Sequence, residues 1–525
     1  MHAESLNAEQ RNALLPIARI PSDTLLIIFS LLAADLKHSL IDAPSSYQLE
    51  DLSWVTVTHV CRYWRHVAIQ NARLWADNLI VPFLFGKRWV PTFLSRAEQA
   101  PLTIYQLNVG PYDYPNPFDL EFILANLAHI RVLRLCLDDA DLHALCTPAP
   151  LLEYFETSVR WPLNRLLNSA EALPPVLPHG LFGGAAGAPA LRHLRLYGDS
   201  TMSWTSPLLA GLVSLEISTG ASSGGRAAEI VDIVDALDRM PSLERLVLHL
   251  YQVSDNERVD VPPPRRVVAL ACLRDLDLAT GTAAAALLLA HITLPTDATV
   301  HCTLDGQDVA DPVPETAAIL AAAATCLFHS AAASRLHLQL ADVGSYIPIE
   351  LKAWRSTDAY TDPPALSLRF HPHVDHYQEE NVSAMVRTVL EALASEHLEE
   401  LAVGGDGLVG TWVDALGRAR RLRRLRVERA AACTLFTAPR GDLLPALSLL
   451  SIAGVDLRFG SGADVAMADG LVRYLEARVG AVVEGLAEVD VVACEVDDEL
   501  VRRAREAVPG LVMRWRSEDG DGAEL

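Results

Sequence analysis

Residues 17–32, IARIPSDTLLIIFSLL, set Leu25, Ile28, Phe29 and Leu32 at steps of three and four behind Pro21 and Asp23, which predicts a capped amphipathic helix. After a stretch holding Pro44, Ser45 and Ser46, residues 52–69 carry Val57, Val60, Cys61, Trp64 and Val67 at the same steps, predicting a second apolar-striped helix. Residues 71–75 close this unit, and Pro82 and Pro91 mark a transition. Downstream the pattern changes. L-x-x-L-x-L recurs as IRVLRL (130), LRHLRL (191), LERLVL (243), LRDLDL (273), LEELAV (398), LRRLRV (422) and LSLLSI (447), with looser copies at 152, 212 and 486. The copies are spaced mostly about 20 to 40 residues apart, with helical stretches such as 228–237 and 385–394 between them.

A strand-and-helix unit of this kind buries its apolar face only against its neighbours, so the pattern predicts an irregular leucine-rich-repeat solenoid over 130–510. Between 295 and 397 the register is poor, and RLHLQL (335) and ALSLRF (365) fit loosely. Residues 174–189, rich in Gly and Pro, read as a loop inserted between repeats, and 511–525 as an acidic tail. The expected class is α+β or α/β, a small three-helix unit followed by the solenoid, with 81–129 as transition and first repeat cap.

The segment IPSDTLLIIF, followed by WVTVTHVCRYWRHVA and closed by NARLW, resembles an F-box, specifically the F-box-like variant of large fungal families, over residues 16–80. Three separated pieces in the right order carry the resemblance; the stretch 33–51 is longer than in a minimal F-box. The resemblance implies a substrate-recognition subunit of a Skp-cullin-F-box ubiquitin ligase that does no chemistry itself. Ile20, Pro21, Leu25, Ile28, Phe29, Leu32, Val57, Cys61, Trp64, Leu74 and Trp75 would bind a Skp-family adaptor and, through it, a cullin scaffold. The repeats would hold a protein substrate. The alternative is an F-box and leucine-rich-repeat interaction scaffold without ubiquitin transfer.

Charge narrows the partners. The chain has 43 basic and 66 acidic residues in 525, a net charge of −23, which argues against nucleic acid or an anionic membrane surface as a bulk partner. Eight cysteines lie scattered without a CxxC pair, a reduced, intracellular pattern. The start lacks an apolar run behind basic residues, so no signal peptide is read and the expected location is cytoplasmic or nuclear. The sequon at 381–383 then has no glycosylation meaning, and the alanine-dominated stretch 317–328 reads as a packed helix.

Candidate chemistry is sparse. Gly405, Gly407 and Gly410 form G-x-G-x-x-G after an apolar strand, with Glu428 eighteen residues on, as in a dinucleotide site. A repeat is itself strand, turn and helix, so the glycines are read as a structural turn and no cofactor is expected. Residues 220–224 match G-x-S-x-G around Ser222, without a positioned histidine and acid. His371, His373, Asp375 and His376 could offer metal ligands but sit beside Pro372 in a segment read as a loop, and neither a catalytic residue nor a metal is expected.

The strongest charge signal is GRARRLRRLRVER, with seven arginines between 418 and 429. With Leu422, Leu425 and Val427 inward, period-2 alternation sends Arg424 and Arg426 to the outer face, and Arg134, Arg195 and Arg245 occupy the same slots in other repeats. Guanidinium forks match carboxylate and phosphate, so these five are candidates for an acidic or phosphorylated substrate. The milder reading is that Glu216, Asp275, Asp277 and Glu428, in equivalent slots, neutralise them within the sheet.

Overall fold

The recurrent leucines form the buried rows of a parallel sheet. The computed structural model describes residues 16–42, 54–79, 89–105, 120–137, 139–159, 176–198, 201–219, 228–250, 266–306, 319, 333–340, 349–355, 363–372, 398–404, 416, 419–428, 430–437, 444–459, 465–480, 486–516 and 522–524. The chain divides into two compact units, Met1–Ser223 and Gly224–Leu525, and is mixed α/β with largely parallel strands.

The first unit opens with helices α1 (Ser22–Asp42), α2 (Val57–Val60), α3 (Arg62–Gln70), α4 (Ala72–Ala76) and α5 (Val90–Ala97). The single helix expected over 52–69 is broken: Cys61 is extended (φ −158°, ψ 171°), and its Sγ accepts from the Trp64 N–H as an N-cap to α3. A residue that caps a helix leaves the helical backbone, which is why the apolar stripe continues while the helix does not. Trp54, Trp75 and Phe93 pack edge to face, with ring centroids 4.9 to 5.9 Å apart, and tie α4 to α5.

Five parallel strands follow in chain order, β1 (Leu102–Tyr105), β2 (Ile130–Leu137), β3 (Tyr154–Val159), β4 (His193–Gly198) and β5 (Ser214–Thr219), each pairing with the next. One register row, Ile104, Leu133, Phe155, Leu194 and Leu215, is wholly buried, and each such side chain stabilises by about 1.5–3 kcal/mol. The Gly/Pro-rich stretch expected as a loop inserted at 174–189 instead packs into this core over its described part. Leu177, Leu181 and Phe182 are buried, and Phe182 stacks edge-on against Phe155 at 4.8 Å. Gly187 serves close approach: a Cβ there would stand 1.9 Å from the Phe182 carbonyl oxygen.

Asp77, which closes α4, joins the helices to the sheet. Its Oδ1 accepts from Thr103 Oγ1 on β1 at 2.7 Å and from Arg131 Nη2 on β2 at 3.0 Å.

The second unit contains β6 (Arg245–Leu250), β7 (Asp275–Gly281), β8 (Thr299–Gly306), β9 (Ala333–Leu340), β10 (Ile349–Arg355), β11 (Leu366–Pro372), β12 (Glu400–Gly404), β13 (Arg424–Glu428), β14 (Leu449–Ala453), β15 (Glu488–Val492), β16 (Val512–Arg516) and β17 (Gly522–Glu524). Strands β6 to β8 are parallel neighbours in chain order, as are β12 to β16. Between them, in the region of poor register, β8 pairs with β11, β11 with β10 and β10 with β9, the last two antiparallel, and β9 then pairs in parallel with β12. The physical reason is connection length. Residues 341–348 and 356–365 are too short for the dozen or more residues a parallel crossover needs, so β10 turns back. At the end of the chain the strands run past the expected boundary at 511: β16 pairs with β15, and β17 returns antiparallel to β16. Among the described residues no helix is long and apolar enough to cross a membrane.

Candidate functional site

Five of the eleven residues that the resemblance implied as adaptor contacts are core. Leu25, Phe29, Val57, Leu74 and Trp75 are buried, and Ile20, Ile28, Cys61 and Trp64 are half-buried, while Pro21 and Leu32 alone of the eleven expected adaptor contacts are exposed. Trp64 leans on Phe29 at 5.4 Å, and the Trp75 Nε1–H donates to the Ala68 carbonyl at 2.8 Å, so both indoles hold helices together. A different apolar set faces outward. Of the ten most exposed large hydrophobics among the described residues, six lie between 17 and 63: Ile17, Ile27, Leu31, Leu32, Val60 and Tyr63. Ile27 and Leu31, one turn apart on α1, are 61% and 64% exposed. Exposed apolar side chains concentrated in this way mark interaction surfaces. The signal was in the sequence: LLIIFSLL is apolar around its whole circumference, so one face had to be left outward.

On the sheet, alternation places the candidate arginines outward as expected, and each meets a carboxylate. In the first unit a register row reads Tyr105, Arg134, Glu156, Arg195, Glu216. Arg134 Nη2 lies 2.6 Å from Glu156 Oε1, and Arg195 Nε lies 2.9 Å from Glu216 Oε2. The Tyr154 and Tyr197 hydroxyls donate to Glu156 and Glu216. Burial, reinforced by those bonded carboxylates, pushes both phenols above their ordinary range, so they stay protonated donors.

In the second unit Arg245 pairs with Asp275, Arg424 lies 3.9 Å from Glu400, and Arg426 Nη2 lies 2.8 Å from Glu428. The outward rows are therefore ladders of alternating sign rather than a positive wall. His249 Nε2 stands 3.3 Å from Asp277, whose carboxyl is held below the usual aspartate range chiefly by that hydrogen bond. Among the described residues no group of three His, Cys, Asp or Glu side chains is placed to hold a metal ion.

His371 lies half-buried on β11; His373, Asp375, His376, Ser222 and Gly405, Gly407 and Gly410 lie outside the described residues. Sequence reasoning concentrated on Arg424 and Arg426 and passed over their neighbours. Arg420, Arg421 and Arg423 are exposed on the turn that leads into β13 and make no ion pair among the described residues. The chain matches no family model and no curated protein.

Proposed function

We propose that the chain is an F-box-type substrate receptor, whose N-terminal helices engage a Skp-family adaptor, and through it a cullin scaffold, and whose outer sheet faces hold a protein substrate for ubiquitin transfer. The observation that carries this reading is the outward apolar set on the first helices, above all Ile27 and Leu31. Taking such side chains out of water contributes about 25 cal/mol per Å² on association. The chain-order sheet supports the second half of the reading, because stacked strand units turn isolated outward slots into rows across several strands.

The adaptor face of this proposal differs from the one the resemblance implied. Leu25 and Phe29 hold the helices together from inside; Ile27, Leu31 and Leu32, with Pro21, meet the partner. On the sheet, arginines already matched by carboxylates offer fixed donors and acceptors of both signs, so the rows select by pattern rather than by net charge.

Co-expression with a Skp-family adaptor tests it. Ile27→Glu with Leu31→Glu is expected to abolish co-purification while leaving the circular dichroism unchanged, since neither side chain is in the core. Undiminished capture by the folded double variant would reject the reading.

A further inference from the structure

We infer that the turn leading into β13 is a docking site for an acidic, Asp/Glu-rich peptide segment, with Arg420, Arg421 and Arg423 as its principal contacts and Arg424 at its margin. This deepens the receptor reading by naming a class of substrate segment, and rests on that reading only for the fate of what is bound.

The turn is displayed by buried anchors. Leu416, Ala419, Leu422 and Leu425 are at most 1% exposed, and the Ala419 and Leu422 N–H groups close successive turns onto Leu416 and Ala419 carbonyls at 2.8 and 3.2 Å. The Arg423 N–H then enters the sheet by donating to the Glu399 carbonyl at 2.8 Å. With the apolar residues fixed inward, Arg420, Arg421 and Arg423 have nowhere to go but solvent, and all three are exposed.

Their electrostatic state separates them from the candidate arginines within the strands. Arg134, Arg195, Arg245 and Arg426 each touch a carboxylate, and Arg424 reaches Glu400 only at 3.9 Å with its side chain 57% exposed. Arg420, Arg421 and Arg423 form no ion pair among the described residues. Among the described residues, the exposed ones at the entrances to the next strands, Pro445 and Ser448 before β14, Ala487 before β15 and Gly510 before β16, carry no charge; Glu399, before β12, is the acid on the other side. In a chain of net charge −23, this concentrates within four residues positive charge that forms no ion pair with a described residue.

The chemistry of the turn favours distributed carboxylates. No buried unpartnered donor lies in it among the described residues, so it lacks the enclosed pocket that would grip one phosphoryl group. One turn also cannot follow the repeating phosphates of a nucleic acid, and the remaining charge of the chain repels one. An extended acidic segment needs only successive side chains that meet successive guanidinium groups.

Fluorescence anisotropy of the full chain with a labelled decaglutamate peptide tests this. Binding is expected at low ionic strength and should weaken as salt shortens the screening length to about 10 Å at 0.1 M. Arg420→Gln, Arg421→Gln and Arg423→Gln together should weaken it about tenfold, with the melting temperature unchanged because the anchoring leucines remain. Arg421→Glu alone serves as a second, smaller perturbation and should weaken binding in the same direction. The inference is overturned if the wild-type chain fails to bind the peptide, if both folded variants bind it as well as wild type, or if a decathymidine oligonucleotide binds more tightly than the peptide. Adaptor capture, measured on the same proteins, is expected to be unaffected by these variants; a wild-type chain that binds peptide but captures no adaptor would reject the receptor reading and leave the docking site standing.

Discussion

Replacing Asp77 with alanine should loosen the N-terminal helices from the sheet of the first unit. The carboxylate accepts two hydrogen bonds at Oδ1, 2.7 Å from the Thr103 hydroxyl and 3.0 Å from the Arg131 guanidinium, and its Oδ2 lies 3.4 Å from Arg73 Nε. Hydrogen bonds to a charged group contribute about 1.5–3 kcal/mol when shielded. Asp77 and Arg131 side chains are 27% and 25% exposed, which discounts the ionic part, and the Arg73 contact is too exposed to add much. Thr103 is 2% exposed, so its hydroxyl, once deprived of its acceptor, adds a desolvation cost of about 1 kcal/mol. The sum is roughly 2–3 kcal/mol. Thr103→Val should cost less, because it removes donor and hydration need together, and the double variant should fall short of the sum of the singles by about 1 kcal/mol. Hydrogen exchange of the amides in 62–76 measures it directly: they should exchange faster in Asp77→Ala by the corresponding factor. If that protection stays within twofold of wild type, or the two substitutions are additive, Asp77 does not join helix to sheet.

Gly187→Ala should destabilise by about 3 kcal/mol, because its Cβ would meet the Phe182 carbonyl, whereas Gly510→Ala, at φ +88° in open space, should cost about 1 kcal/mol; thermal unfolding of the two separates close packing from backbone strain. Arg478→Met should cost roughly 2 kcal/mol, since its buried guanidinium donates to the Leu444 and Leu447 carbonyls and Leu444 holds a positive φ of 60°; a melting temperature equal to wild type would remove it from the core's support. The carboxyl of Asp277 is depressed in the folded chain, so its contribution is present above the ordinary aspartate value of 3.8 and is lost as pH falls below it. The stability difference between wild type and Asp277→Asn should therefore be larger at pH 6 than at pH 3, and urea titrations giving equal differences at both would contradict this.

How far the sequence reveals this molecule depends on the range of each interaction. The three-and-four spacing identified Leu25 and Phe29 as one face of a helix, but spacing alone does not say whether an apolar face meets the core or a partner, and LLIIFSLL supplies both. Period-2 alternation sent Arg134, Arg195, Arg245, Arg424 and Arg426 outward, because side-chain direction is a local property of a strand. Two of the neutralising contacts are not local: Glu156 is 22 residues from Arg134 and Asp275 is 30 from Arg245, and only the register brings them together, whereas Glu428 lies two residues from Arg426 on the same strand. The reversal of β10 was hidden because IELKAWR alternates as a parallel strand would; only its connection lengths distinguish it.

That reversal also governs how the second unit assembles. Strands β6 to β8 and β12 to β16 each zip together from near neighbours; Asp277 meets His301 only 24 residues away. Joining β8 to β11, by contrast, brings His301 to Ser367, 66 residues away, and joining β9 to β12 brings His337 to Ala402, 65 residues away. The added loop-closure entropy is ~0.9 kcal/mol relative to a 24-residue step, and it falls on three strands that must register together. Pairings of high sequence separation are slow to form, so the closing of β9 to β11 is the expected slow step in the folding of this unit.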